Sequence, residues 1–175
     1  MNTDAIHTKR LLLRPLVKSD APDLFLLDSN PEVMRFLGNH PIESINQVYI
    51  YLENIMQQYV ENGIGRWAVI KKETSTFMGW AGIKWVNTLT NGHINYYDIG
   101  YRLKPEFWGK GYATETTEAW IDYAKTQQDI KELFAITHID NFASQNVLQK
   151  CGFVKKNTFP DTIHGATIEC VWFEL

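Results

Sequence analysis

The sequence predicts an α+β fold, a mixed and mostly antiparallel sheet of about seven strands with helices on both faces. Three observations carry this. Apolar residues alternate in some stretches and recur at helical spacing in others. Strands over 67–71, 77–86 and 95–103, separated by short polar turns, read as an antiparallel meander. The passage from strand 95–103 through a helix to strand 133–139 is a crossover of the right-handed kind, so those two strands should be parallel.

In chain order, Leu11-Leu12-Leu13-Arg14 is a short strand that Pro15 ends. Ser19 or Asp20 caps a helix over 21–28, with Pro22 in its first turn. Asn30-Pro31 and Gly38-Asn39-His40-Pro41 are turns. Ser44 caps a longer helix, whose apolar Ile45, Val48, Leu52, Ile55, Met56 and Tyr59 follow a helical stripe until Asn62-Gly63 ends it. Glu73-Thr74-Ser75 and Asn91-Gly92 are the meander's turns, and Tyr97, Ile99, Tyr101 and Leu103 share one face of its last strand. Trp108-Gly109-Lys110-Gly111 feeds a helix to about residue 127. A helix over 141–151 closes at Gly152, and strands 153–159 and 167–175 are joined by a polar turn over 161–165.

With 175 residues and no repeat or linker, the chain reads as one domain, 1–175. Lys plus Arg is 17 and Asp plus Glu is 20, a net charge of −3, which argues against a general nucleic-acid partner. Two cysteines, Cys151 and Cys170, make no disulfide framework and no zinc pair. The polar start and the lack of an apolar run near 20 residues point to a cytoplasmic protein without a membrane partner.

Chemistry concentrates in two segments. Residues 98–115, DIGYRLKPEFWGKGYATE, form a strand, a glycine turn and a helix start. A helix N-terminus exposes free N–H groups, and Gly109 and Gly111 let a phosphate approach the backbone. The competing reading is a plain turn. A Walker A loop is absent, and Thr114 stands where a dinucleotide fingerprint has its third glycine. Residues 141–153, NFASQNVLQKCGF, start a second helix directly after the next parallel strand. Ligands of open sheets bind at such strand ends. Asn141 and Ser144 also read simply as a helix cap and a first-turn residue.

Together these segments resemble the GNAT superfamily of acetyl-CoA-dependent N-acetyltransferases, and most the RimJ/RimL type, which acetylates ribosomal-protein N-termini. The opening TKRLLLRPLVKSDAPDLFLLDSNPEVMRFLG is similar to the start of that subgroup, and the resemblance spans nearly the whole chain. It implies that amides of Trp108, Gly109, Lys110, Gly111, Tyr112, Ala113 and Thr114 hold the pyrophosphate of acetyl-CoA. It implies that the backbone of Tyr101, Arg102 and Leu103 pairs with the pantetheine arm, in a splay between two parallel strands. Asn141 would contact that arm, Asn146 is assigned to the cofactor as well, and Ser144 would protonate the departing thiolate.

Two departures stand out: Glu106 replaces the usual Gln or Arg before the turn, and Leu148 stands where many members carry a tyrosine acid. Asp98, where many members carry a Glu base, is either a base acting directly or through water or a paired strand carboxylate. His138 is a relay or a structural histidine. Glu115 reads as a helix-dipole partner, and His40, His93 and His164 show no metal spacing.

The expected reaction is direct acetyl transfer to a primary amine, either a protein N-terminus or a small amine, without a metal, by a monomer or homodimer. The segments before Glu61 and the loop around Asp161 would shape the acceptor site. The alternative is a non-catalytic CoA-binding regulatory or assembly module.

Overall fold

The computed structural model describes residues 5–163 and 165–175. The first four residues of the polar start and His164 lie outside the described residues. Among the described residues, eight strands form one sheet in the order β1-β2-β3-β4-β5-β6-β8-β7. They are β1 (Ile6–His7), β2 (Leu11–Pro15), β3 (Arg66–Lys71), β4 (Thr76–Val86), β5 (Tyr96–Leu103), β6 (Phe134–His138), β7 (Val154–Ile163) and β8 (Ala166–Glu174). Every neighbouring pair is antiparallel except β5–β6, which is parallel, as the crossover requires.

Among the described residues, five α-helices accompany the sheet: α1 (Ala21–Asp28), α2 (Pro31–Met34), α3 (Ile45–Asn62), α4 (Tyr112–Lys125) and α5 (Phe142–Lys150). Register and contacts sort them into two layers. Trp67, Ala81 and Tyr101 are register neighbours and share one face with α4, where Trp67 meets Trp120 edge-on at 5.1 Å. Arg66, Gly82 and Gly100 share the other face with α1 and α3. The fully buried Trp67, Trp120 and Phe173 anchor the main core. A second cluster of Tyr96, Phe134, Phe159, Cys170 and Trp172 packs beneath the β4–β5 loop, whose His93 stacks on Trp172 at 4.7 Å.

Ser44 caps α3 as its sequence predicts, accepting from Asn46 N–H, while Gln47 reaches back to Ser44 N–H. Other elements differ from expectation. Neither Ser19 nor Asp20 caps α1; Asp20 turns back to the Arg14 guanidinium and to Val17 N–H, closing a 3₁₀ turn over Lys18–Asp20. Asn30-Pro31 starts the short helix α2, with Asn30 accepting from Glu32 N–H. Met56 and Val60 stand at the solvent edge of α3. β1, too short for a periodicity signal, brings the strand count to eight, and β7 runs on past Phe159 to Ile163. Among the described residues, no helix is long and apolar enough to cross a membrane.

Candidate active site

β5 and β6 share a single register pair, Asp98 with Phe134. β5 stays paired to β4 as far as Leu103, and β6 stays paired to β8 from Phe134 to His138. Beyond Asp98 the two parallel strands therefore diverge, and the β6-facing edge of β5 is left without a strand partner. Both helices that follow these strands begin at the opening.

On one side lies the glycine turn. Gly109 and Gly111 take φ of 70° and 79°, a left-handed conformation that a side chain resists. A Cβ at Gly109 would meet nothing within 4 Å, so the turn presents bare backbone to open space. Trp108 N–H donates to Pro105 O at 3.0 Å, and the α4 ladder begins with Glu115 N–H donating to Gly111 O at 3.1 Å, which leaves the amides from Gly109 to Thr114 without acceptors among the described residues. Trp108 Nε1 donates to Leu103 O and pins the turn to the end of β5; Lys110 Nζ closes onto Glu106 O.

Arg10, from β1–β2, locks the turn from behind. Its Nη1 donates to Lys110 O at 3.0 Å, its guanidinium lies 4.1 Å from the Tyr112 ring, and its Nε pairs with Glu115. Burial pushes the Glu115 carboxyl up, but hydrogen bonds from Thr8 Oγ and from Arg10 N and Nε outweigh it and hold the group below its ordinary value. Glu115 is thus a clasp between the chain's start and α4, beyond the dipole role its position suggests.

On the other side lies α5. Asn141 Oδ1 caps the helix by accepting from Ser144 N–H at 3.1 Å. This fixes the side chain, and its Nδ2 has no acceptor among the described residues. Ser144 Oγ accepts a hydrogen bond from the Tyr101 hydroxyl at 3.2 Å, across the floor of the splay from β5. Burial pushes the Tyr101 phenol up to about 12, against a smaller downward pull from Ser144. Leu148 is buried in the core, so no polar group follows Ser144 one turn along α5.

The face toward α1 and α3 carries a buried charged strip. Gly82 and Gly100 are opposite each other in adjacent strands and leave a trough in the sheet. The Arg66 side chain fills it, with a Gly100 Cβ position only 3.1 Å from Arg66 Nη2. Arg66 donates to Gly82 O, to Asp98 O and, at 2.5 Å, to Asp98 Oδ2. Lys84 Nζ stands 3.9 Å from the same oxygen. Trp80 lies between Arg66 and Arg102, whose guanidinium carbons are each 5.1 Å from its ring, and Arg102 pairs with Asp28 of α1 at 2.5 Å.

The structure thus gathers Tyr101, Leu103, the turn from Trp108 to Thr114, Asn141 and Ser144 around one opening. Arg102 contributes backbone there, but its side chain turns to the opposite face. Asn146 is exposed and sits two residues on from Ser144, about 200° round the helix, so it is not brought to the Tyr101–Ser144 pair. Asp98 marks the base of the splay as an ion-paired strand carboxylate, with Oδ2 taken by Arg66. His138 Nδ1 accepts from Asp140 N–H at 3.0 Å, and its ring lies against Phe36. Among the described residues, no three His, Cys, Asp or Glu side chains gather as a metal site would need.

Sequence reasoning missed Arg10, Arg66 and the Tyr101 hydroxyl. The facing pair Gly82 and Gly100 was the signal for Arg66, but it appears only once the strand register is known.

This geometry agrees with what comparison finds. Residues 10–154 match the acetyltransferase (GNAT) domain family. The chain belongs to the GNAT acetyltransferases, and it is an acyltransferase that moves acetyl groups to amines. The uncharacterized N-acetyltransferase YoaA of Bacillus subtilis is 31% identical over 151 residues, 86% of this chain and 83% of its own length. The FsC-acetyl coenzyme A-N(2)-transacetylase of Aspergillus fumigatus is 31% identical over 160 residues, 88% of this chain and 66% of its own. Among solved structures, RimL, a ribosomal L7/L12 alpha-N-protein acetyltransferase in complex with coenzyme A, aligns over 98% of this chain and 97% of that one, with a TM-score of 0.83. At 16% identity that likeness shows the shared fold alone.

Proposed function

We propose that this GNAT enzyme transfers an acetyl group from acetyl-CoA directly to a primary amine, a small molecule or a protein N-terminus, at the β5–β6 splay. The observation that carries the reading is the divergence of the two parallel strands after Asp98, between two helix N-termini. The unsatisfied amides at Gly109 to Thr114 suit a diphosphate, and the unpartnered edge of β5 at Tyr101 to Leu103 suits the amide groups of a pantetheine arm. When bound, acetyl-CoA supplies an acetyl group already activated as a thioester.

The chain's own residues then have separable tasks. Asn141 Nδ2 donates to the pantetheine arm, since its Oδ1 is held by the helix cap. Ser144 hands its hydroxyl proton to the leaving sulfur, directly or through water, and is reprotonated from the amine's released proton through solvent. Asp98 Oδ1 has no partner among the described residues and takes a proton from the acceptor through a water. An alkyl or α-amino group is mostly protonated near neutral pH, so this step makes the nucleophile. The face toward α1 and α3 is the acceptor side, where the buried Arg66 and Trp80 and the Arg102–Asp28 pair support Asp98 from within the fold.

Direct transfer is supported by the thiols. Burial pushes Cys151 up to about 11 and Cys170 up to about 12, so neither is a thiolate at neutral pH. The names of similar proteins span both acceptor kinds, an N(2) amine and a protein α-amine. The test is acetyl-CoA-dependent thiol release across a panel of peptides, amino acids, polyamines and alcohols, with products identified by mass spectrometry. The reading predicts an N-linked acetyl product and release that requires the amine. Release with alcohols only, or an acetylated enzyme formed without acceptor, contradicts it.

A further inference from the structure

The Tyr101 hydroxyl lies inside the splay, and its one hydrogen-bond partner among the described residues is Ser144 Oγ at 3.2 Å. A phenol has one proton to donate, and a serine hydroxyl has one proton and two lone pairs. Were Ser144 to donate to Tyr101, the part-buried phenolic proton would have no acceptor among the described residues. The bond therefore runs from Tyr101 to Ser144. It leaves the proton on Ser144 Oγ with no acceptor among the described residues, free to turn into the opening.

We propose that Tyr101 is the positioning residue for the reaction, its phenol donating to Ser144 Oγ so that the serine proton is aimed at the leaving sulfur. The inference rests on the reading of the splay as the acetyl-transfer site. Leu148 removes any donor from the next turn of α5, and Tyr101 supplies from the strand what that turn lacks. Three features suit it to the task. The strand is paired to β4 on its far side, through Ala81 opposite Tyr101, so the ring's base is held rigidly. Burial pushes the phenol up to about 12, so it stays a donor across the whole neutral range. An oxygen that accepts a hydrogen bond also becomes a better donor through its own proton.

The proton balance is simple. Ser144 Oγ–H gives its proton to sulfur, the C–S bond breaks as the C–N bond forms, and the oxygen regains a proton from the former ammonium through water. Tyr101 keeps its own proton throughout.

The test is a double-mutant cycle on the intact protein with Tyr101→Phe, Ser144→Ala and both together. The readouts are kcat at saturating acetyl-CoA, coenzyme A affinity by calorimetry and thermal melting to confirm folding. Tyr101→Phe is expected to lower kcat roughly tenfold, less than the roughly 10²–10⁴-fold of a group that transfers the proton itself, with coenzyme A affinity within about twofold of wild type. It is expected to add nothing on the Ser144→Ala background, because its action passes through that oxygen. Wild-type kcat in a folded Tyr101→Phe protein overturns the proposal. So does the same fold-loss in both backgrounds, which would make the phenol a packing element. Absence of any amine-dependent thiol release by the wild-type enzyme would instead refute the reading of the site itself.

Discussion

The proposed cofactor side of the splay uses the backbone of two contiguous stretches, 101–114 and 141–144, whereas the proposed acceptor side draws the side chains of Asp28, Arg66, Trp80, Asp98 and Arg102 from α1, β3, β4 and β5. On the first side the groups offered for binding are backbone: amides freed by two left-handed glycines, and a strand edge freed by divergence. On the second side, side chains bind one another. Arg66 reaches Asp98 across 32 residues of sequence, and Arg102 reaches Asp28 across 74. A backbone site is indifferent to most substitutions and needs glycine and a helix start. A side-chain network depends on each member, because any one removed leaves a buried charge behind. The two sides should therefore respond to mutation in different currencies, stability on the acceptor side and affinity on the cofactor side.

The largest effect belongs to Arg66→Ala. It strands the buried Asp98 carboxylate, and Lys84, 3.9 Å away and half-buried, replaces little of the close Arg66 contact. Breaking a buried pair in this way costs about 3–5 kcal/mol. Urea unfolding should show that loss as a lower midpoint, and a midpoint shift worth less than about 1 kcal/mol would mean the strip is not a structural unit.

Gly109→Asp tests the other side. Aspartate tolerates positive φ better than most residues, and its Cβ would enter open space. The fold should survive while the carboxylate opposes the diphosphate. Acetyl-CoA affinity is expected to fall at least about tenfold, which is about 1.4 kcal/mol, by titration calorimetry. Equal affinity in a folded variant would move the phosphate site elsewhere.

The smallest effect concerns the clasp that joins α4 to Thr8 and Arg10, between β1 and β2. Glu115 is held below its ordinary value of 4.5 by Thr8 and Arg10, so its contribution to stability is present above pH 4.5 and lost as pH falls through the depressed folded value. Glu115→Gln should lower the melting temperature at pH 7 by a few degrees, on the order of 1 kcal/mol. The gap to wild type should close toward pH 3. A gap that persists undiminished there would show that packing, not charge, supports the clasp.

The same contrast explains what could be read from sequence. The glycine turn, the Asn141 cap and the crossover are local, and local patterns carry them: G-x-G before a helix, Asn three residues before Ser144, a strand on each side. Arg66 in its trough depends on which strands are neighbours and in what register, so Gly82 and Gly100 looked like unrelated glycines. Tyr101 was legible as a strand residue expected to offer its backbone to the cofactor, but its hydroxyl partner lies 43 residues away on another element. β1 and α2 escaped because two and four residues are too few to show a period. Asp20 looked like a cap because capping preference is a statement about short-range geometry, and the Arg14 guanidinium outcompeted the helix amides for it.

The most direct measurement of the central claim is an amide-resolved NMR titration of the protein with coenzyme A. The account predicts the largest shifts at Gly109 to Thr114, at Tyr101 to Leu103 and at Asn141 to Ser144, with little change along α3 or in the groove of about 480 Å³ between His7 and α4. Shifts centred on that groove or on α3, with the glycine turn silent, would contradict it.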